Sequence, residues 1–278
     1  MAIIVLFFTA KPPSAQRSWS ADFADYADKG ICENLCPNLF IELVTVFPKT
    51  LMKMPHWLPW RRALLFGMAL NLCLVVIRVW LYRPLWAMPG ALQFVVEPIV
   101  GLTACALFVV AATSGKRAKY PDALRTATAW GTAGGALLVV HMALENFGRR
   151  IGENVWITLA FMFITFLSWG VSGFAVARNP ASTAPGWLGG CWSAVVCVLM
   201  AVTFGFALMF FAVPSPDYVA TWPEFKHSGW NDAQAFAIAN SLDAGFTHLV
   251  TGLVLGSVFG AIGGGLAGLW PKHPPTAS

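Results

Sequence analysis

Charged side chains are scarce in this sequence. They make up only 11% of the 278 residues, whereas hydrophobic side chains make up 57% and the mean hydropathy is +0.65. A soluble domain normally carries a charge on about a quarter of its residues. Because so few charges cannot cover the surface of a soluble globule, the composition excludes a water-soluble fold.

Several short catalytic and nucleotide-binding motifs are also absent. The sequence has no Walker A loop, no HExxH pair, no GxSxG elbow, no EF-hand loop and no Asn-x-Ser/Thr acceptor. A phosphate-binding loop is what a chain of this kind would need to hold ATP. Energy coupling through ATP is therefore not expected within this chain.

The six cysteines do not form a redox or zinc motif. Cys32 and Cys36 have one residue too many between them for a CxxC pair, and no second pair completes a tetrahedral site. The other four lie in apolar stretches, where a thiol is expected to act as a small buried hydrophobic group. These four are Cys73, Cys105, Cys191 and Cys197.

What the sequence does contain is a series of nearly uncharged windows of about 20 residues, the length that crosses a hydrocarbon core roughly 30 Å thick. The backbone must satisfy its own hydrogen bonds there, and continuous apolar runs do not alternate as barrel strands do. The sequence predicts an all-α, polytopic bundle of six transmembrane helices within residues 61–270. The predicted spans are 63–83, 92–113, 123–146, 154–177, 188–213 and 245–270.

The remaining segments are not predicted to cross the membrane. Residues 1–60 form a leader that we expect to be poorly ordered or peripheral, and residues 271–278 form a C-terminal tail. Met52 or Met54 is an alternative initiator, so the sequence leaves open whether residues 1–51 belong to the native protein. Residues 214–244 are predicted to be an outer loop and an interfacial helix, which Asn231-Asp232 caps and which runs into the sixth span.

The outer loop is rich in aromatic residues and proline. Tyr218, Trp222, Phe225 and Trp230 occur within residues 214–231. One interpretation is an interfacial loop whose rings rest among lipid headgroups. The other is a cap over an outer pocket, in which Glu224 or His227 meets a ligand.

Lysines and arginines are distributed unevenly around the spans. One side of the bundle holds Lys49, Lys53, Arg61, Arg62, Lys116, Arg117, Lys119, Arg125, Arg178 and Lys272; the other holds Arg83, Arg149, Arg150 and Lys226, with Arg78 nearby. The positive-inside bias places both termini in the cytoplasm. It also explains the net charge of +5 without nucleic acid, which we do not expect as a partner. We expect a multi-pass protein of a bacterial inner membrane.

Six ionisable residues fall within the spans or at their edges. With alternate spans running in opposite directions, all six come near the non-cytoplasmic face: Arg78, Glu97, His141, Glu145, Asp243 and His248. A charge at the bilayer centre costs about 2.5–3.5 kcal/mol on insertion scales, so such residues usually pair or face protein and water. The sequence predicts a shared outer-leaflet pocket containing these residues.

Helical periodicity places the two histidines on faces rich in small residues. His141 shares a face with Gly131 and Gly134, and His248 shares one with Gly252. The histidines could be hydrogen-bonding groups that hold helices together, and Arg78 could snorkel to the interface. They could also ligate haem b or a metal ion, or carry protons or a solute.

The sixth span carries a ridge of glycines at every fourth position: Gly252, Gly256, Gly260, Gly264 and Gly268. Ridges without side chains allow transmembrane helices to approach closely. The ridge could face another helix of this chain, a second copy or another subunit of a membrane complex. Gly263, Gly265 and Gly268 also spell GxGxxG, but no strand precedes them, so a dinucleotide site is not expected.

Three classes of function are compatible with these patterns. The leading hypothesis is a non-enzymatic protein surrounded by membrane lipids, which either permits permeation of an ion or small solute or serves as an accessory subunit. The alternatives are a redox protein that binds haem or metal through His141 and His248, and a lipid-modifying enzyme that uses Glu145, Asp243 and His248.

The predicted orientation can be tested with reporter fusions. A fluorescent protein that folds only in the cytoplasm should be active after Ser278, and a phosphatase that folds only outside should be active when inserted within 214–231. The physical reason is the excess of basic residues on the cytoplasmic side. The opposite pair of activities would show that the predicted orientation is wrong.

Overall fold

The fold is described from a computed structural model. The structure describes residues 58–114, 120–147, 155–179 and 184–269. These residues are almost entirely helical and contain no strand. The predicted leader, including Cys32 and Cys36, and the predicted C-terminal tail lie outside the described residues, apart from the last turn of the leader, where the first helix begins.

Eight α-helices occur in the described residues. They are α1 (Leu58–Leu81), α2 (Ala91–Thr113), α3 (Pro121–Phe147), α4 (Val155–Arg178), α5 (Gly186–Phe211), α6 (Pro216–Val219), α7 (Pro223–Ser228) and α8 (Ala233–Leu269). A short 3₁₀ helix, Arg83–Ala87, follows α1. Six of the helices, all but α6 and α7, are long and apolar enough to cross a membrane. This confirms a multi-pass helical membrane protein with six spans.

The last spanning helix begins earlier than the predicted span. It starts at Ala233 rather than at 245 and continues unbroken for 37 residues. Asp232 stabilises this start, because its Oδ1 accepts the backbone N–H of Ala235 at 2.9 Å. At 1.5 Å per residue the helix is about 55 Å long. It is thus longer than the hydrocarbon core requires, and hydropathy alone marks only its more apolar part.

Contacts along α5 show the direction of its neighbours. Beside α8 the order is antiparallel, since Phe206 lies against Gly245, whereas Gly190 lies against Gly260. Beside α3 the order is parallel, since Trp192 donates to Thr128 at 2.8 Å and Gly205 faces Met142. The spans therefore alternate in direction. Which end faces the cytoplasm stays a prediction.

Helix α5 is the centre of the bundle. Of its apolar window 56% is buried, against 28–39% for the other five spans. Its buried residues include Trp192, Cys191 and Cys197. Burial of these two thiols and of Cys105 agrees with the expected hydrophobic role, but Cys73 is exposed on α1. The outer surface of the other helices is left to lipid.

Helices α5 and α8 approach each other backbone to backbone. A Cβ atom added at Gly190 would collide with Gly260 Cα, and one added at Gly186 would lie 2.5 Å from Gly264 Cα. A Cβ at Gly256 would likewise collide with the Cβ of Ala194. At these positions only a hydrogen atom fits between the two helices. Glycine is required there because a larger side chain has no room, and not because of the backbone conformation.

The glycine ridge is largely covered by helices of the same chain. Gly252 packs on Val198 of α5, while Gly256, Gly260 and Gly264 meet the start of the same helix. Gly173 of α4 also approaches Gly260. At Gly268, by contrast, an added Cβ would meet nothing within 4 Å. Contact of the ridge with a second copy or another subunit stays a prediction.

This packing predicts the effect of adding a single methyl group. Gly190→Ala should destabilise the protein by about 1–3 kcal/mol, because its Cβ overlaps the α8 backbone. The matched control is Gly265→Ala, where an added Cβ meets nothing within 4 Å, and there a small gain in helix propensity is expected. Thermal unfolding in detergent micelles measures both. Equal stability of the two variants would contradict the packing.

Candidate functional site

All six predicted ionisable residues lie towards one end of the bundle, which we call the polar end. Near this end of α5, Gly205 faces Met142, Phe206 faces Gly245, and Phe210 lies under the Arg78 guanidinium. These contacts place Arg78 of α1, His141 and Glu145 of α3, and Asp243 and His248 of α8 within a few turns of one level. The residues nevertheless belong to three separate groups.

The first group is built around His141. This side chain is only 4% exposed, and its Nε2 lies 3.4 Å from Glu145 Oε1, one turn further along α3. The same nitrogen lies 3.2 Å from the hydroxyl of Thr158 on α4. The Phe161 ring packs against the imidazole with 4.9 Å between ring centroids. The His141 imidazole, which belongs to α3, is thus held in place by residues of α4.

His248 of α8 belongs to the same group electrostatically. Its Nδ1 contacts the backbone carbonyl of Ala244 at 2.7 Å, and Glu145 is close enough to act on its charge. Helices α3 and α8 both pack on α4 and α5. Glu145 thus contacts the His141 imidazole on its own helix and acts on that of His248 only through its charge.

The second group joins α2 and α8. The Asp243 carboxyl lies near the Glu97 carboxyl, and Gln93 donates to Glu97 Oε1 at 2.7 Å. Glu97 Oε2 is shielded and accepts from no amide or hydroxyl donor among the described residues. The second group is therefore a meeting of two acids between α2 and α8.

The third group lies where α1 ends. The Arg78 guanidinium carbon stands 5.9 Å from the Tyr82 ring centroid and 5.7 Å from that of Phe210. The Tyr82 hydroxyl lies 2.9 Å from both Oδ1 and Oδ2 of Asp232, to which it donates. Burial raises the pKa of Tyr82 to about 12, and the hydrogen bond and charge of Asp232 add to the effect. The phenol is thus a neutral donor at ordinary pH.

Rotation around α8 explains why one predicted pocket becomes three groups. Asp243 and His248 are five positions apart, which turns them about 140° from each other around the helix axis. Asp243 lies near Glu97 of α2, whereas the His248 side chain turns back to the Ala244 carbonyl and is acted on by the charge of Glu145. The direction of a span predicts how deep a residue lies in the membrane. It does not predict which neighbouring helix that residue faces.

In the described ranges, no three His, Cys, Asp or Glu side chains come close enough together to hold a metal ion. The Nε2 of His141 is directed at Thr158 and Glu145. In this geometry the imidazole is a hydrogen-bonding group between α3 and α4.

Several residues of these groups were not predicted from the sequence. Thr158, Gln93 and Tyr82 were not predicted as members. Gln93 is one turn before Glu97, so helical spacing could have found it. Thr158 is a single small polar residue in an apolar span, and only the packing of α4 on α3 reveals it. The same holds for buried Asn71 of α1, which donates to Thr203 of α5 at 2.7 Å.

The segment between α5 and α8 forms a layer of aromatic contacts at this end. Trp222, Phe225 and Trp230 each make an edge contact with Phe236 near the start of α8. Glu224 and His227, the predicted ligand-meeting residues, are exposed, and His227 Nδ1 lies 2.6 Å from the Pro223 carbonyl. A role for this segment as a cap stays a prediction.

The Tyr82 contact predicts a pH-dependent contribution to stability. Tyr82→Phe should cost about 1 kcal/mol at neutral pH, because a hydrogen bond to a carboxylate is lost at a partly exposed site. The unfolded phenol ionises near pH 10, and the folded one near pH 12. The advantage of the unmutated protein should therefore be complete below pH 10 and disappear as the pH rises towards 12. The measurement is the unfolding of both proteins across this pH range. A difference in stability between them that does not change with pH would contradict the prediction.

Comparisons with protein-family models, curated proteins and solved structures find no match to this chain.

Proposed function

We propose that this protein moves protons across a bacterial inner membrane, with His141, Glu145 and His248 as the proton-carrying group at its polar end. The observation that carries the proposal is the contact between the buried His141 imidazole and the Glu145 carboxylate, 3.4 Å apart within a spanning helix. Chains of carboxylates and imidazoles are what membrane proteins use to relay protons.

The chemistry of the group suits repeated protonation. An imidazole titrates near neutral pH and can take a proton at one nitrogen and release it at the other. Glu145 is 29% exposed at its side chain, whereas His141 is 5% exposed. Glu145 can therefore exchange protons with water and pass them to His141, and Thr158 keeps the ring oriented at 3.2 Å.

The carboxyl pair on the other side of α8 supports the same proposal. Glu97 and Asp243 are two further acids that lie near each other, and acids within a bundle are groups that proton relays use. Both groups border α8, so a change in the position of this one helix would alter both. A lipid-modifying enzyme would instead need Glu145, Asp243 and His248 to converge on one substrate. Asp243 and His248 point about 140° apart around the axis of α8, which works against such convergence.

A flux assay tests the proposal directly. The purified full-length chain is reconstituted in vesicles that contain a pH-sensitive dye, and a potassium gradient with valinomycin sets the membrane potential. Proton entry should exceed that of empty vesicles. His141→Gln and Glu145→Gln should each lower the initial rate by at least about tenfold, because each removes one proton-binding group while keeping a similar shape.

The matched control is His227→Gln, which changes an exposed histidine outside the spans and should leave the rate unchanged. Thermal unfolding of each variant separates loss of flux from loss of folding. A rate no higher than that of empty vesicles, or an unchanged rate in both relay variants, would reject proton movement as the function.

A further inference from the structure

The Arg78 guanidinium is a cation without a counterion among the described residues. Its Nε and Nη2 are buried and have no hydrogen-bond partner there, although Arg78 as a whole is only partly buried. Buried polar groups are almost always hydrogen-bonded, and leaving a charged one unpaired is costly. The Arg78 cation would therefore gain from an anion that approaches its accessible part.

The neighbouring acid and phenol do not supply that partner. Asp232 accepts the Tyr82 hydroxyl with both carboxylate oxygens, and its Oδ1 also accepts the Ala235 N–H. Tyr82 itself is neutral at ordinary pH, because its pKa is raised to about 12. The rings of Tyr82 and Phe210 offer cation–π contacts, which orient the guanidinium but leave its N–H groups without acceptors.

The surface near Arg78 is apolar. Leu81, one turn after Arg78 on α1, is 62% exposed, and Phe211, next to Phe210 on α5, is 88% exposed. In a membrane protein such side chains face lipid tails or the headgroup region. An acceptor that approaches Arg78 over this surface would therefore belong to a lipid.

We propose that Arg78 binds the phosphate of an anionic phospholipid headgroup, in a site formed by the ends of α1 and α5 with Tyr82 and Phe210 as its aromatic walls. Guanidinium N–H groups form strong charge-assisted hydrogen bonds with phosphate oxygens, and the phosphate would bind the part of the Arg78 side chain that is not buried. The acyl chains of the same lipid would lie along the exposed side chains of Leu81 and Phe211. The site is independent of the proton-carrying group, since Arg78 makes no contact with it.

Lipid titration of the full-length protein in detergent micelles tests this site. The probes are phosphatidylglycerol, phosphatidylcholine and inorganic phosphate, and the measurement is the shift in thermal unfolding as each is added. Phosphatidylglycerol should bind more tightly than phosphatidylcholine. Arg78→Gln should weaken its binding by at least about tenfold, which corresponds to one charge-assisted pair.

Arg178→Gln is the matched control. Arg178 also stacks on a ring, that of Phe174 at 5.8 Å, but it lies at the opposite end of the bundle, so phosphatidylglycerol binding should not change. Arg78→Lys keeps the charge and loses the fork, and it should bind the lipid with an intermediate affinity. Because Arg78 donates to no described residue, Arg78→Gln breaks no internal hydrogen bond and should fold.

Three results would overturn the proposal. Equal phosphatidylglycerol binding by the unmutated protein and both Arg78 variants would remove Arg78 from any lipid site. Equal binding of the two phospholipids would remove the preference for an anionic headgroup. Stabilisation by inorganic phosphate that depends on Arg78 and equals that by the lipid would assign the site to a free anion instead.

Discussion

The backbone-to-backbone contact between α5 and α8 is the constraint on which the rest of the bundle depends. At Gly190, Gly256 and Gly260 no side chain larger than hydrogen fits between the two helices. Lipid gives no hydrophobic drive for helices to associate, so close van der Waals contact has to supply the attraction. A contact of this kind fixes the rotation of α8 as well as its distance from α5, because only one face of the helix lacks side chains.

The rotation of α8 then decides which polar residues meet. With its glycine face held against α5, Asp243 turns towards Glu97 of α2, and His248 turns towards the side where Glu145 lies. Residues that share one depth in the membrane are thereby kept in separate groups with different chemistry. One group brings two acids near each other, another pairs the His141 imidazole with Glu145, and the third holds an arginine against aromatic rings.

The fold could be predicted from the sequence because the bilayer thickness sets the length of each span, and a run of apolar residues of that length is visible in the sequence. Sequence also predicted the cap of α8 at Asn231-Asp232, which the Asp232 contact confirms, but it placed the span itself only from 245, because hydropathy marks the more apolar part of the helix. For the candidate site, sequence identified residues that are costly in a bilayer, and they lie towards one end of the bundle; that this end is the non-cytoplasmic one stays a prediction. Sequence could not predict Thr158 beside His141 or Tyr82 beside Arg78, because those contacts depend on helix rotation and on neighbours far apart in sequence.

The two ends of the bundle are held together by different physics. At the end where α5 begins, glycine backbones of α5 and α8 touch, and separating them would forfeit contacts that no lipid can replace. At the polar end, the helices meet through polar side chains, as where His141 of α3 contacts Thr158 of α4 and Asn71 of α1 donates to Thr203 of α5. The two ends therefore differ in what a substitution would remove, which is close backbone packing at one end and hydrogen bonds between side chains at the other.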